Sequence, residues 1–326
     1  MEQPLLQVDD LHVRDPIRGG VLGGRIGEVK AVTGVSLSLR AGESLASVGE
    51  SGCGKSSLGG AILGMIPPSA GQVRLNGAPV AARTTLERRA LARDMQVVWQ
   101  DPVSALDPRM SVGQSLAEPL EVEGGMSAAE VRTRVAELLT MVGLHPDHAG
   151  RRPAEFSGGQ RQRIVIGRAL ALQPRVLVLD EPVSALDVSI RSQILNLLLD
   201  LQARLGLAYL FISHDLSVVR HFADRIAVMY LGRIVETGTT ANLFADPRHP
   251  YTQALLSAVP LPEAGARARR SRILLTGDLP SPANPPPGCV FSTRCPIAGP
   301  ECRASMPELR TGPGGQALAC HLRDPA

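Results

Sequence analysis

The chain has 326 residues, of which 44% are hydrophobic, and this content is sufficient for one large domain with an appended region. The formal net charge of +3 and the arginines, which form no single basic face, give no argument for a nucleic-acid partner. The first ten residues lack the layout of a signal peptide, and no apolar run approaches the roughly 18 residues that a membrane span needs. We therefore expect a cytoplasmic chain.

The N-terminal part of the chain has the patterns of strands and turns. Residues 5–8 and 11–13 predict a short strand, and the glycine-rich residues 18–27 predict a surface insertion. Residues 35–39 alternate apolar and polar side chains, and residues 72–75 precede an Asn-Gly turn signal. A strand-rich region is therefore expected before residue 80.

A glycine-rich loop interrupts this region after the apolar strand predicted at residues 45–48. Its sequence has two glycines separated by four residues and followed by a lysine and a hydroxyl residue, and residues 57–63 can start a helix. The loop and its exit are Gly49, Glu50, Ser51, Gly52, Cys53, Gly54, Lys55, Ser56 and Ser57. Backbone N–H groups of such a loop bind polyphosphate, while Lys55 would reach the terminal phosphates and the Ser56 hydroxyl would bind Mg²⁺.

The remainder of the chain alternates helices with apolar strands. Residues 101–157 have mostly helical patterning, clearest at 128–141, and predict a helical subdomain. Outside this range, helices are predicted at 86–93, 164–172, 190–205 and 216–223, and strands at 96–99, 176–179, 208–212 and 226–230. The alternation predicts an α/β core. Because residues 280–287 include five prolines and the composition changes after Pro260, we expect domains at 1–260 and 261–326.

Two adjacent carboxylates follow the strand predicted at residues 176–179. Asp180 lies at the carboxyl end of this strand, where an open α/β sheet binds its ligands, and Glu181 follows it. Asp180 is therefore a candidate ligand for Mg²⁺, and Glu181 is a candidate general base that polarises the attacking water. Without the phosphate loop, a solvated acidic pair would be the simpler interpretation.

Residues 156–163, with the sequence Phe-Ser-Gly-Gly-Gln-Arg-Gln-Arg, closely resemble the signature motif of the ATP-binding cassette (ABC) ATPases. The phosphate loop resembles another motif of that family. Gln100 resembles the family's glutamine loop, and Asp180-Glu181 resembles its acidic strand end. Ser184-Ala185-Leu186-Asp187 is similar to its D-loop, and His214 is similar to its switch histidine. Six ordered motifs make the resemblance specific, and it covers residues 5 to about 260.

The resemblance implies a P-loop NTPase core of the ABC ATPase type, with a β-subdomain, a helical subdomain and a small cysteine-containing C-terminal extension. It also implies that ATP lies between two cassettes. The residues completing the partner's phosphate site would be Ser157, Gly158, Gly159 and Gln160. Gln100 would sense metal and water, His214 would hydrogen-bond the γ-phosphate, and Asp187 would organise the interface. A helix cap at Ser157 and structural roles for Gln100 and His214 are the competing interpretations.

Several segments look like the oligopeptide and dipeptide importer ATPases within this family. They are residues 100–102, residues 106–110, His249-Pro250-Tyr251-Thr252 and the cysteine-bearing tail. Residues 16–20 and the extra length before Val29 look more like the second of the two ATPases that these importers pair. The resemblance implies ATP hydrolysis that powers import of peptides or a related solute. The implied partners are a sister ATPase or a second copy, two membrane permeases and an extracytoplasmic solute-binding protein, with this chain peripheral at the cytoplasmic membrane face.

Four of the five cysteines lie in the last forty residues, at Cys289, Cys295, Cys302 and Cys320. Four thiolates can enclose Zn²⁺ or an iron–sulfur cluster, and their spacing matches no short-spaced zinc ribbon; unligated reduced thiols are the third interpretation. Tails of this type in the importer family are associated with a 4Fe-4S cluster, so the resemblance favours a cluster over zinc. Cys53 is expected to fill space in the phosphate loop.

One position departs from the family. ABC ATPases usually stack adenine on an aromatic residue just after the first strand, where this chain has Asp15, and no Phe, Tyr or Trp precedes Trp99. His12 or an arginine is the hypothetical replacement.

Two other functions stay open on the sequence. One is a soluble ABC-type ATPase acting on nucleic acid or ribosomes, although the chain lacks a long coiled-coil insertion and a tandem cassette. The other is a non-hydrolysing interaction subunit, against which Lys55, Asp180, Glu181 and His214 argue.

Overall fold

The structure is a computed structural model, and it describes residues 3–19, 24–80, 84–259 and 273–326. The described chain divides into two compact units. The first comprises Met1–Leu39, Ser44–Pro79 and Ile212–Ala326, and the second comprises Arg40–Glu43 and Val80–Phe211, apart from the residues not described. The predicted domain boundary between residues 260 and 261 lies outside the described residues.

Strands and helices alternate through most of the chain, so the predicted α/β class is confirmed. The strands are β1 (Leu6–Gly19), β2 (Gly24–Leu39), β3 (Ser44–Val48), β4 (Ala70–Leu75), β5 (Ala78–Pro79), β6 (Met95–Val98), β7 (Val176–Asp180), β8 (Ala208–Ser213), β9 (Arg225–Tyr230), β10 (Arg233–Thr239), β11 (Arg310–Thr311) and β12 (Ala317–Leu318). The α-helices are α1 (Lys55–Ile62), α2 (Thr85–Asp94), α3 (Val112–Glu123), α4 (Ala128–Met141), α5 (Gly158–Ala169), α6 (Val188–Leu205), α7 (Leu216–Phe222), α8 (Thr240–Ala245), α9 (Pro250–Ser257) and α10 (Pro300–Ala304). Among the described residues, no helix combines the length and the apolar character that crossing a bilayer requires.

The first unit contains two sets of hydrogen-bonded strands. One is an antiparallel sheet in the order β2-β1-β4-β5. The other runs β11-β12-β10-β9-β3, with β3 parallel to β9 and the remaining pairs antiparallel. Every residue of β3 is buried, which is typical of a strand covered on both faces. The candidate phosphate loop therefore connects a buried strand to α1.

The N-terminal strands are longer than the sequence pattern predicts. Pairing of β1 with β2 continues from Leu6↔Leu39 to Gly19↔Gly24, with several irregularities in register. Part of the predicted insertion at 18–27 thus forms the arms of this hairpin, and residues 20–23 lie outside the described residues. Backbone pairing extends the strands beyond the alternating apolar residues that anchor them, and side-chain patterns do not report it.

The second unit is built on strands in the order β8-β7-β6, with β6 parallel to β7. The apolar residues of β7 and all of β8 are buried, as their continuous apolar sequences predict. Helix α4 has the predicted bounds and buries Val131, Val135, Leu138 and Leu139. It begins at a capping box in which Ser127 and Glu130 each bind the other's backbone N–H.

Residues of the C-terminal region complete the core of the first unit. The rings of Tyr230 and Tyr251 lie 4.8 Å apart, and Phe291 lies 5.1 Å from Tyr230. The buried carboxylate of Glu236 accepts hydrogen bonds from the backbone N–H of His249 at 3.1 Å and from Gln316 Nε2 at 2.6 Å. These contacts attach the part of the chain that follows β10 to β9 and β10.

Replacing His249 by asparagine should separate its titration from its role as the N-cap of α9. Its Nδ1 accepts the Tyr251 N–H at 3.1 Å, a bond that asparagine can replace. Burial lowers the pKa of His249 from 6.5 to about 3, so the unfolded chain binds this proton first as the pH falls. The stability contributed by His249 is therefore present above about pH 6.5 and is lost towards pH 3.

We expect the free energy of unfolding of the wild type to fall relative to that of His249→Asn by about 1.4 kcal/mol per pH unit below about pH 6. Urea unfolding between about pH 5 and 7.5 measures this difference. Burial raises the pKa of Glu236, which contacts the backbone of His249, but both proteins retain Glu236. Equal pH slopes in the two proteins would contradict the prediction.

Candidate functional site

The phosphate loop lies against neighbouring backbone at two of its glycines. A Cβ atom at Gly49 would be 2.2 Å from the carbonyl oxygen of Met229, and one at Gly54 would be 2.1 Å from that of Ala31. Gly54 also has a φ of 104°, in the left-handed region. Only glycine allows the loop to take this path between β3 and α1.

Lys55 begins α1 and folds back over the loop. Its side chain is buried, and Nζ donates hydrogen bonds to the carbonyl oxygens of Gly49 at 2.7 Å and Glu50 at 2.9 Å. The next residue, Ser56, is exposed on the first turn of the helix, and Ser57 is half-buried. A hydroxyl and an ammonium group are thus positioned at the start of α1, where the helix dipole favours anions.

Cys53 fills the interior of the loop, as the sequence predicts. Its side chain is 1% exposed, and its Sγ would lie 2.8 Å from a Cβ at Gly49. Burial raises the pKa of the Cys53 thiol, and the neighbouring Lys55 only partly opposes this effect. The thiol is therefore neutral at physiological pH and acts as a small space-filling group.

Gln100 and Glu181 come together in the second unit. They follow β6 and β7, which are parallel neighbours, so both residues lie at the carboxyl ends of their strands. Gln100 Nε2 donates a hydrogen bond to Glu181 Oε2 at 3.2 Å. Glu181 has a φ of 47°, a strained conformation for this residue type, and its carbonyl oxygen accepts hydrogen bonds from the backbone N–H and the hydroxyl of Ser184. Asp180 immediately precedes it, half-buried at the end of β7.

The Ser-Gly-Gly-Gln sequence forms the start of α5. Ser157 is the N-cap, and its hydroxyl accepts the Gln160 N–H at 3.3 Å while Gln160 Oε1 accepts the Ser157 N–H at 3.0 Å. Ser157 and Gly158 are exposed, but Gly159 is buried against α6, where a Cβ would lie 2.4 Å from Ile190 Cγ2. In the single chain, Ser157 is therefore a helix cap on an exposed helix terminus.

Asp187 and His214 are both exposed at the starts of helices. Asp187 is the N-cap residue of α6, and its carbonyl oxygen accepts the Arg191 N–H at 2.8 Å. His214 follows β8 and precedes Asp215, whose Oδ1 accepts the Ser217 N–H at 2.9 Å and caps α7. These caps fix the backbone on which both predicted site residues lie.

Two residues that the sequence interpretation did not assign to the site contact Glu50 of the phosphate loop. The hydroxyl of Tyr251 accepts the backbone N–H of Glu50 at 2.8 Å. Arg294 donates to both carboxylate oxygens of Glu50, at 2.6 and 3.1 Å. The partners are separated by 201 and 244 positions in the chain, so no local pattern could have indicated either contact.

The four C-terminal cysteines lie in one neighbourhood of the first unit. Cys289 is buried and has electrostatic interactions with the thiols of Cys295, Cys302 and Cys320, and its backbone N–H donates to the carbonyl oxygen of Cys302 at 2.7 Å. Burial raises the pKa of Cys289 to about 11. Within the described ranges, however, no three His, Cys, Asp or Glu side chains are arranged to hold a single metal ion.

The proposed adenine contact at His12 remains a prediction. His12 lies on β1 between the buried Leu11 and Val13, as the alternation predicts, and its Nε2 lies 3.2 Å from Asp10 Oδ1. Asp15 is paired with Val29 across the hairpin.

A cavity of about 280 Å³ opens in the second unit between α2, β6, α3 and α5. Its lining includes Trp99, which precedes Gln100, and the exposed Val122 of α3. At its edge, Arg168 of α5 pairs with Glu118 of α3 at 2.7 Å. The cavity therefore combines an apolar surface with charged groups beside the residue that contacts Glu181.

Comparison with known families gives two matches along the chain. A family model described as ABC transporter matches residues 32–184, which include the phosphate loop, Gln100, the Ser-Gly-Gly sequence and Glu181. A second model, described as the C-terminal region of oligopeptide/dipeptide transporters, matches residues 235–302.

Relatives match the chain over nearly its full length. The oligopeptide transport ATP-binding protein AppF of Bacillus subtilis is 48% identical over 98% of this chain and 98% of its own. Two Escherichia coli proteins are also 48% identical: the dipeptide transport ATP-binding protein DppF, over 99% of this chain and 96% of its own, and the oligopeptide transport ATP-binding protein OppF, over 98% and 97%.

Among solved structures, CbiO1 from Clostridium perfringens, part of an ABC transporter complex, has a TM-score of 0.65 and 28% identity over 75% of this chain and 92% of its own. The ATP-binding cassette MJ0796 was solved as a dimer in a post-hydrolysis state with ADP and phosphate. It has a TM-score of 0.63 and 27% identity, and the match covers 72% of this chain and 98% of MJ0796.

Alanine substitutions in the loop test the packing of Gly49. Gly49→Ala should lower the free energy of unfolding by about 2 kcal/mol more than Gly52→Ala. The reason is that a Cβ at Gly49 meets a backbone oxygen, whereas one at Gly52 meets only Leu279 Cδ2, at 3.8 Å. Urea unfolding of both variants provides the measurement, and equal losses would show that the contact with Met229 does not restrict the loop.

Proposed function

The chain belongs to the ATP-binding subunits of ABC transporters, in the group that serves oligopeptide and dipeptide transport, and we infer that it hydrolyses ATP to power the import of such peptides. The observation that carries this inference is the match at residues 235–302, which follows a complete set of ATPase motifs in the same chain. An ATPase that acts on nucleic acid or ribosomes would leave this C-terminal match unexplained.

The first unit supplies the groups that bind phosphate. Lys55 Nζ now bonds to two carbonyl oxygens of its own loop, and phosphate oxygens of ATP would replace them. The exposed hydroxyl of Ser56 suits Mg²⁺, which prefers oxygen ligands, and His214 would donate a hydrogen bond to the γ-phosphate. When bound, Mg²⁺ would neutralise negative charge on the phosphates. Its candidate ligand in the first unit is Ser56, and the candidates that the sequence predicts in the second unit are Asp180 and Gln100.

The second unit supplies the base. Glu181 would take a proton from the attacking water through its carboxylate, and Gln100 would hold that carboxylate in position through its amide N–H. The strained backbone of Glu181 supports this role, because strain of this kind is retained where a side chain must point in one direction.

We propose that two cassettes bind ATP between them. Ser157 and Gly158 are exposed at the positive end of α5, a helix of 12 residues, where the Ser157 hydroxyl and the Gly158 N–H suit the γ-phosphate bound by a partner. Asp187 is exposed at the start of α6 and would lie at the same interface. The dimer of MJ0796 with ADP and phosphate, a cassette of similar fold, supports this arrangement. The partner is a second copy or a sister chain.

We further propose that the cavity beside Trp99 receives a cytoplasmic segment of a permease. Such a segment would contact the residue next to Gln100, so its movement could reach the bond between Gln100 and Glu181. Two permeases would hold the chain at the cytoplasmic face of the membrane as a peripheral subunit. An extracytoplasmic solute-binding protein would deliver the peptide to them.

The C-terminal cysteines are proposed to bind a 4Fe-4S cluster. The thiols of Cys289, Cys295, Cys302 and Cys320 share one neighbourhood but include no three side chains that could hold one ion among the described residues. The choice of a cluster over zinc rests on the resemblance of this tail to those of the importer family and on the ability of four thiolates to hold a 4Fe-4S cluster.

Anaerobic purification of the full chain tests the cluster. We expect a brown protein with iron and sulfide in equal amounts, and loss of both in Cys302→Ser but not in Cys53→Ser, whose thiol lies in the phosphate loop. A colourless protein without iron, or one containing zinc, would contradict the proposal.

The function is tested by ATPase assays of the full chain with and without its permeases. Glu181→Gln should retain ATP binding and lower turnover by about 10²–10⁴-fold, because it keeps the shape of the side chain but removes the base. Mass photometry of this variant with ATP should show paired cassettes. A variant that hydrolyses ATP at the normal rate would remove Glu181 from the mechanism, and absence of peptide-stimulated turnover in the assembled transporter would contradict peptide import.

A further inference from the structure

The phosphate loop carries a negative charge of its own. Glu50 lies between Gly49 and Ser51, and its side chain is 30% exposed. A carboxylate within the loop that binds phosphate would repel the phosphates of ATP if it were not neutralised. The loop therefore needs a cation in addition to Lys55.

Arg294 supplies that cation from the C-terminal region. Its guanidinium binds both carboxylate oxygens of Glu50, the arrangement that fixes the direction of a carboxylate most firmly. The Arg294 side chain is only 8% exposed, so solvent weakens the pair little.

The position of Arg294 is fixed by the aromatic core of the first unit. Its guanidinium lies 5.9 Å from the ring centre of Tyr230, and its backbone N–H donates to Phe291 at 3.0 Å. Tyr251, which packs against both rings, accepts the backbone N–H of Glu50. Tyr251 and Arg294 thus bind the main chain and the side chain of Glu50, respectively. Both residues lie in the segment 235–302 that matches the C-terminal family model, whereas the loop lies in the segment 32–184 that matches the ABC transporter model.

We propose that Arg294 is a positioning residue for ATP binding: it neutralises Glu50 and turns its carboxylate away from the phosphates, so that the C-terminal region sets the nucleotide affinity of the phosphate loop. The inference rests on the proposed role of residues 49–57 in binding ATP. It assigns a function in the ATPase cycle to a segment that contains none of the ATPase motifs.

The test is a double-mutant cycle on the full chain, using calorimetric titration with Mg²⁺ and a non-hydrolysable ATP analogue. Arg294→Gln should weaken binding by about tenfold, the loss expected when a hydrogen-bonded charge pair is broken. In the Glu50→Gln background the same substitution should weaken binding by less than about twofold, because no carboxylate remains to repel the phosphates. Arg294→Lys should retain most of the affinity, since it keeps the charge.

Ionic strength provides a second readout, because screening reduces repulsion between Glu50 and phosphate. The defect of Arg294→Gln should decrease between about 50 mM and 500 mM salt. The matched control is Arg310→Gln, which removes an arginine of the same region that binds the carbonyl oxygens of Cys320 and Arg323, and it should leave affinity within about twofold of the wild type.

Two results would overturn the proposal. One is an equal loss of affinity from Arg294→Gln with and without Glu50, which would indicate a general structural effect. The other is an affinity of Arg294→Gln for the ATP analogue equal to that of the wild type. This result counts against the proposal if the wild type binds the analogue and Lys55→Ala does not. If the wild type fails to bind, the assignment of the phosphate loop itself is wrong.

Discussion

The close packing of the phosphate loop against neighbouring backbone is the constraint on which the first unit depends. Gly49 lies against the carbonyl oxygen of Met229, and Gly54 lies against that of Ala31, with no room for a side chain at either position. Met229 belongs to β9, which is the parallel neighbour of β3, and Ala31 belongs to β2. The path of the loop is therefore determined by both sets of strands in the first unit.

The C-terminal region extends this constraint. Tyr251 and Arg294 bind opposite ends of the same residue, Glu50, through its N–H and its carboxylate. Because Tyr230 packs against Tyr251 and Phe291, the strand β9 supports the loop through Met229 and supports these two contacts through Tyr230. One buried strand thus positions both the backbone and the charge of the loop.

Much of the fold could be predicted because it depends on local patterns. The capping box at Ser127 and the apolar spacing of α4 define that helix within a few turns of chain, and the apolar run of β7 identifies a buried strand. The site motifs could be identified for the same reason, since each is short and lies beside a recognisable strand or helix. The contact between Gln100 and Glu181 was not among the sequence predictions, because it depends on β6 and β7 lying side by side.

What the sequence could not indicate depends on contacts between distant segments. In the sequence, nothing distinguishes Arg294 from the other arginines, because only the fold brings it to Glu50. The length of β1 depends on backbone hydrogen bonds to β2, which no side-chain pattern indicates. Lys55 shows a related effect, because its ammonium bonds to the carbonyl oxygens of Gly49 and Glu50 of its own loop. The backbone of the loop thus holds the lysine side chain in place, so that a phosphate can exchange with these oxygens around the ammonium with little conformational entropy lost.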